Sequence, residues 1–205
     1  MQMFIGGIVV AACLGLAMPV CAAVPAGQVY RDEDPSAMAI HAPPGRGAAF
    51  RTRLNTILAH NPDDVGALSH RAYLFLRAGD EARANRDFER ALTASTYGST
   101  AHRQVLWGYG WALYDMGKID DALRIWQTCA DLHGGRPHWV PYTFALAYWS
   151  KGDRASALAW YDVAVESFPK RGDPVDVVEL TSRWRPEQRE TMASLFAAWT
   201  AHRQP

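Results

Sequence analysis

A chain of 205 residues with 21 basic against 21 acidic side chains carries no net charge, so it lacks the cationic surface that nucleic-acid phosphates or anionic lipids require. Its length fits one domain plus a leader, and three cysteines, two of them before residue 22, exclude a disulfide framework in the remainder. Alanine occurs 33 times while residues 47–205 hold eight valines and three isoleucines, a balance that favours helix over sheet and predicts an all-α fold.

From Met1 to Tyr30 no residue is charged, and Phe4 to Val20 is apolar throughout, followed by the small residues Cys21, Ala22 and Ala23. Residues 1–23 therefore read as a secretory signal peptide cut after Ala22 or Ala23, which places the mature chain in the periplasm or outside the cell. Met1-Gln2-Met3 lacks the usual basic start. An uncleaved inner-membrane anchor is the rival reading, because the stretch can span about 30 Å of hydrocarbon; Gly6, Gly7, Gly15 and Pro19 make it a poor permanent span. Val10-Ala11-Ala12-Cys13 has the look of a lipidation site, but it falls early and is followed by more apolar residues. Eighteen arginines against three lysines, with abundant alanine, fit a GC-rich bacterial genome.

Residues 24–46 interleave Pro25, Pro35, Pro43 and Pro44 with the run Arg31-Asp32-Glu33-Asp34 and supply neither helical periodicity nor strand alternation. A flexible arm is expected, its charges solvated rather than catalytic or metal-binding.

Periodicity governs residues 47–205. A Gly-Asp or Gly-Lys turn recurs at Gly79, Gly117 and Gly152, spacings of 38 and 35 residues. Each turn is followed by a helix with alanine and an aromatic on its inner face: Ala84 and Phe88, Ala122 and Trp126, Ala157 and Tyr161. Each is preceded by a helix with its own stripe: Leu68, Ala72, Phe75; Leu106, Gly110, Leu113; Phe144, Ala145, Tyr148. Upstream, Phe50, Leu54, Ile57 and Leu58 before Pro62 form the second helix of an incomplete unit. Downstream, Asp173-Pro174 opens a short helix expected over 175–183. Pro186 then opens a capping helix with Met192, Leu195, Phe196 and Trp199 on one face, for about nine helices in all.

A helical hairpin of this period resembles the tetratricopeptide repeat family. The small eighth residue is Ala72, Gly110 or Ala145, the alanine at the twentieth is Ala84, Ala122 or Ala157, and the aromatic at the twenty-fourth is Phe88, Trp126 or Tyr161. Pro62 and Pro169 act as stops. Thr96 and Gly134 replace proline in the middle units, and Leu68, Leu106 and Pro141 replace the tryptophan of the fourth position. The resemblance implies an α-solenoid of about three stacked hairpins, with a flanking half-repeat and capping helices, and a concave surface lined by the first helix of each hairpin.

Chemistry for catalysis is thin. The mature chain has no Gly-rich phosphate loop, Cys-x-x-Cys, Gly-x-Ser-x-Gly or His-Glu-x-x-His, so no enzyme activity, cofactor or metal is expected. Cys129 and His133 are four apart with His138 nearby, a metal-like spacing, but Cys129 holds a repeat position where a small apolar side chain packs between helices. His60, His70, His102 and His202 have no companions at motif spacing, and Asp63 and Asp64 read as helix N-caps.

All eight tryptophans follow the leader. At the positions that face the groove in tetratricopeptide proteins stand Tyr73 and Leu76; Gln104, Trp107, Trp111 and Tyr114; and Trp139, Tyr142 and Trp149. Trp107, Trp111 and Tyr114 form a second apolar stripe about 100° from the core stripe of the same helix. Two readings stand: a groove that binds a protein or peptide segment, or rings that pack on one another or under the arm. The places that hold lysine, asparagine and arginine in chaperone-tail clamps carry Ser69, Tyr73, Gly108, Trp139 and Thr143, so that clamp is not expected. The sequence thus points to a non-enzymatic adaptor in the bacterial cell envelope, with an envelope glycan as the alternative ligand. Nucleic acid is excluded, membrane contact runs only through an uncleaved leader, and self-association is one way to cover an apolar groove.

Overall fold

The computed structural model describes Val24, residues 27–37, Ile40, Gly45, 47–182 and 184–203; the leader lies outside the described residues. Among these, nine α-helices follow one another: α1 (Gly47–His60), α2 (Val65–Arg77), α3 (Glu81–Ala94), α4 (Thr100–Asp115), α5 (Ile119–His133), α6 (Val140–Lys151), α7 (Arg154–Ser167), α8 (Pro174–Leu180) and α9 (Pro186–His202). A 3₁₀ turn at Pro169–Gly172 links α7 to α8. The short helix stops at Leu180, three residues before the expected end.

The helices begin where short polar side chains satisfy their free amides. Asp64 accepts from the Ala67 amide at 2.7 Å, Asp80 from Arg83 at 3.0 Å, Ser99 from His102 at 3.1 Å and Asp153 from Ser156 at 3.1 Å. Asp63 instead pairs with Arg90. The hairpin turns repeat to the atom: the amides of Asp80, Lys118 and Asp153 donate to the carbonyls of Phe75, Leu113 and Tyr148 at 2.9–3.0 Å. Gly117 makes this closure possible, since its φ of 74° is left-handed backbone that a side chain disfavours.

Three hairpins result, α2 with α3, α4 with α5 and α6 with α7, and α1 packs on α2 while α9 closes the stack against α6 and α7. A solenoid buries what one hairpin leaves exposed. Ala72, Ala145, Ala84, Ala122, Ala157, Phe88, Trp126 and Tyr161 are all fully buried, so the small and aromatic positions of the repeat do meet in the core. Met192 and Leu195 of α9 are equally buried and Trp199 nearly so, as the capping stripe requires. Within the first hairpin Arg71 grips Asp87 through two hydrogen bonds of 2.6 and 2.8 Å.

The described part of the arm is packed against the repeats. The Tyr30 amide donates to Ser167 Oγ at 2.8 Å, and Asp32 exchanges backbone hydrogen bonds with Arg136 and His138, both at 3.1 Å. Ile40 lies at the start of α2, where it would touch a side chain added at Gly66. The arm therefore crosses all three hairpins in the direction opposite to chain order. It was not legible as an ordered element because its backbone hydrogen bonds go to loops and side chains, without a helix or strand period.

Candidate functional site

Asp34 corrects the reading of the arm's charges as a solvated run. Arg31, Asp32 and Glu33 are exposed, but the Asp34 carboxylate is fully buried. It accepts from Ser36 Oγ at 2.6 Å, the Ser36 amide at 2.9 Å and Trp139 Nε1 at 3.0 Å, with Arg103 at 3.7 Å and His133 at 3.8 Å. Burial pushes its pKa up, but the hydrogen bonds from Ser36 and Trp139 and the charge of His133 outweigh that and hold it below the usual carboxylate value.

Beside the docked arm an open cleft of about 1010 Å³ runs along the first helices of the hairpins. Tyr73 and Leu76 of α2, Trp107 and Trp111 of α4, and Trp139 and Tyr142 at the start of α6 line it. The rings support one another: Trp107 meets Trp139 at 4.7 Å between centroids, Trp111 meets Trp126 at 5.1 Å, and the two α4 tryptophans stand edge to face at 5.7 Å. Trp139 and Tyr142 are buried, while Tyr73, Trp107 and Trp111 stay partly exposed. Tyr73 donates its hydroxyl to the Gly108 carbonyl at 2.6 Å, locking α2 to α4.

Three of the sequence-derived groove residues stand elsewhere. Gln104 faces the arm, 3.5 Å from the Pro35 carbonyl, and lines a smaller cavity of about 150 Å³ with Ile40 and His70. Tyr114 is buried with its hydroxyl on Ser150 at 2.7 Å. Trp149 is buried at the hairpin turn beneath Arg154, whose guanidinium lies 3.5 Å from the ring centroid. Their spacing matched the stripe, but the arm, Ser150 and Arg154 engage these side chains instead.

The opposite wall comes from outside the repeats. Leu180, Trp184, Arg185 and Gln188 of the α8–α9 corner also line the cleft, as does Arg171 of the 3₁₀ turn. Trp184 packs edge-on against Trp111 at 5.1 Å and Tyr142 at 5.4 Å. An indole stranded in the polar sequence Thr-Ser-Arg-Trp-Arg-Pro was the signal that could have marked it. Asp115 binds Arg185 at 3.0 Å and Gln188 at 2.7 Å, and this hydrogen bonding raises the Arg185 pKa.

Cys129, His133 and His138 do not converge. Cys129 donates to the Arg103 carbonyl at 3.4 Å, and burial followed by the nearby Asp34 charge pushes its thiol up to about 12, which removes the reactive thiolate at neutral pH. His133 faces Asp32 and Asp34, and the His138 ring faces the Asp32 carbonyl. Among the described residues no three His, Cys, Asp or Glu side chains are placed to hold a metal, and no helix is long and apolar enough to cross a membrane.

Comparison with known proteins agrees with this geometry. Residues 104–135, spanning most of α4, all of α5 and its Gly134 cap, match the tetratricopeptide repeat family. A search of curated proteins finds no similar sequence. The chain is thus an all-α stack of helical hairpins in which one hairpin matches the tetratricopeptide repeat, a motif that in general serves protein–protein interaction, and no enzyme family is indicated.

Proposed function

We propose that this chain is a non-enzymatic adaptor of the bacterial cell envelope, exported by its leader, that holds a segment of a partner protein in the aromatic cleft. The observation that carries the reading is the cleft itself, a concavity of about 1010 Å³ whose walls bring Trp107, Trp111, Trp139 and Trp184 together with tyrosines and arginines. Such a composition is that of protein-binding hot spots, with large rigid rings beside cations. The glycan alternative loses support because both carboxylates of the cleft, Asp115 and Glu81, are engaged by Arg185 and Lys118 and leave few acceptors for sugar hydroxyls.

Recovery of partners from an envelope extract tests the proposal. Wild type and a Tyr97→Ser control, altered at an exposed ring outside the cleft, are expected to retain the same proteins. Trp184→Ala is expected to lose them at least tenfold, the loss of a central aromatic anchor. Equal recovery by all three overturns the cleft as the binding surface.

A further inference from the structure

Among the described residues Arg171 is a cation without a counter-charge. Its Nη1 is buried with no acceptor, and among the described residues no carboxylate lies within ion-pair distance of its guanidinium. It is held in place by its surroundings: its carbonyl accepts from the Tyr161 hydroxyl at 2.9 Å, and its guanidinium lies 4.5 Å from the Tyr142 ring centroid and 5.1 Å from that of Phe168. Stacking on the two rings offsets part of the cost of burying the charge. Burial accordingly pulls the arginine's pKa down, opposed only in part by the neighbouring Tyr142 and Tyr161 hydroxyls. The Tyr142 hydroxyl beside it is likewise buried and unpartnered. The carboxylates of the cleft cannot neutralise Arg171, because Asp115 is bound by Arg185 and Gln188 and Glu81 by Lys118.

The arm displays what this face accepts. A segment that turns at Asp34–Ala37 lies across the ends of the repeat helices, and its carboxylate, Asp34, is set between an indole N–H, a guanidinium and an imidazole of the repeats. Arg171 offers the same kind of cation in the lining of the neighbouring open cleft, which Trp139, bonded to Asp34, and Tyr142, beneath Arg171, also line.

We infer that Arg171 is the counter-charge for an aspartate or glutamate of an extended partner segment, whose flanking apolar side chains rest on Trp107, Trp111 and Trp184. The inference rests on the proposed protein-binding role and adds the chemistry of the ligand. It places the anion site on the turn after the last hairpin, away from the first-helix positions where Ser69, Tyr73, Gly108, Trp139 and Thr143 offer no cation.

The test uses peptide pools of about nine residues, enough to span roughly 30 Å when extended, random except for a central aspartate in one pool and asparagine in the other. Purified wild type is expected to retain the aspartate pool about tenfold better, the worth of one charge-assisted hydrogen bond. Arg171→Gln is expected to bring the two pools to parity. Because Arg171 also covers Tyr142, a wild-type readout runs beside the variant: the side-chain Nε–H resonance of Arg171 is expected to shift with the aspartate pool and not with the asparagine pool. Equal retention of both pools by wild type, an unmoved resonance, or a preference unchanged in Arg171→Gln overturns the inference. Equal retention that Trp111→Ala abolishes rejects the Arg171 site while leaving the cleft as a protein-binding surface, whereas retention of neither pool by wild type rejects both.

Discussion

Gly110→Ala is expected to destabilise the protein by about 3 kcal/mol, lowering its thermal midpoint by roughly 10 °C. On propensity alone the sign would be opposite, since alanine gains about 1 kcal/mol over glycine inside a helix. Contact decides the matter. A Cβ at this position would overlap Trp126 Nε1 and Cδ1 and lie 2.7 Å from Cε2. Trp126 cannot retreat: it is fully buried, its indole donates to the Trp107 carbonyl at 3.2 Å, and Trp111 packs against its ring. Relief would require α4 and α5 to part, opening the middle hairpin. Gly66→Ala is the matched control, because its Cβ would meet only Ile40 at 3.4 Å and Asp64 at 3.5 Å, ordinary contacts. A thermal melt in which Gly110→Ala matches or exceeds wild type would remove close helix packing as the reason for glycine here.

Asp34→Ala is expected to release the arm, weakening its docking by about 3 kcal/mol, because it strips an acceptor from the Ser36 hydroxyl and the buried Trp139 indole and leaves Arg103 uncompensated. The amides of Asp32 and His138, which bridge arm and repeats, should then exchange with solvent faster than in wild type while the core of α4 to α7 stays protected. The same carboxylate gives a pH dependence whose sign is fixed. Its pKa is lower in the docked state than in the free arm, so its contribution is complete above the free value of about 3.9 and fades as the pH falls through the docked value. Arm protection measured by exchange should thus fall below about pH 4 in wild type and lose that step in Asp34→Ala. An arm equally protected in the variant would assign its docking to Tyr30 and the backbone bridge instead.

The repeat was legible because its determinants are local. The Gly-Asp and Gly-Lys turns, the small residues Ala72, Gly110 and Ala145 and the rings Phe88, Trp126 and Tyr161 recur at one period, and each acts within its own hairpin or on the next. Of the groove positions read from the same register, Tyr73, Trp107, Trp111, Trp139 and Tyr142 line one cleft. The opposite wall was not legible. Arg171, Leu180 and Trp184 reach the cleft only because the chain turns back after α7, and a connection that occurs once leaves no period to read. Asp34 was missed for a related reason: its partners Arg103, His133 and Trp139 lie far along the chain, and a carboxylate in a charged run gives no sign that it will be buried.

The central claim is that the cleft between the repeat helices and the α8–α9 corner is where a partner protein binds. Photo-crosslinking in the living host tests it most directly, with a benzophenone amino acid placed at Leu180, a cleft residue 42% exposed, or at Tyr97, 74% exposed and outside the cleft. The account predicts a discrete protein adduct from position 180 that Trp184→Ala suppresses, and none from position 97. Adducts at 97 with none at 180, or an adduct at 180 indifferent to Trp184→Ala, would contradict it.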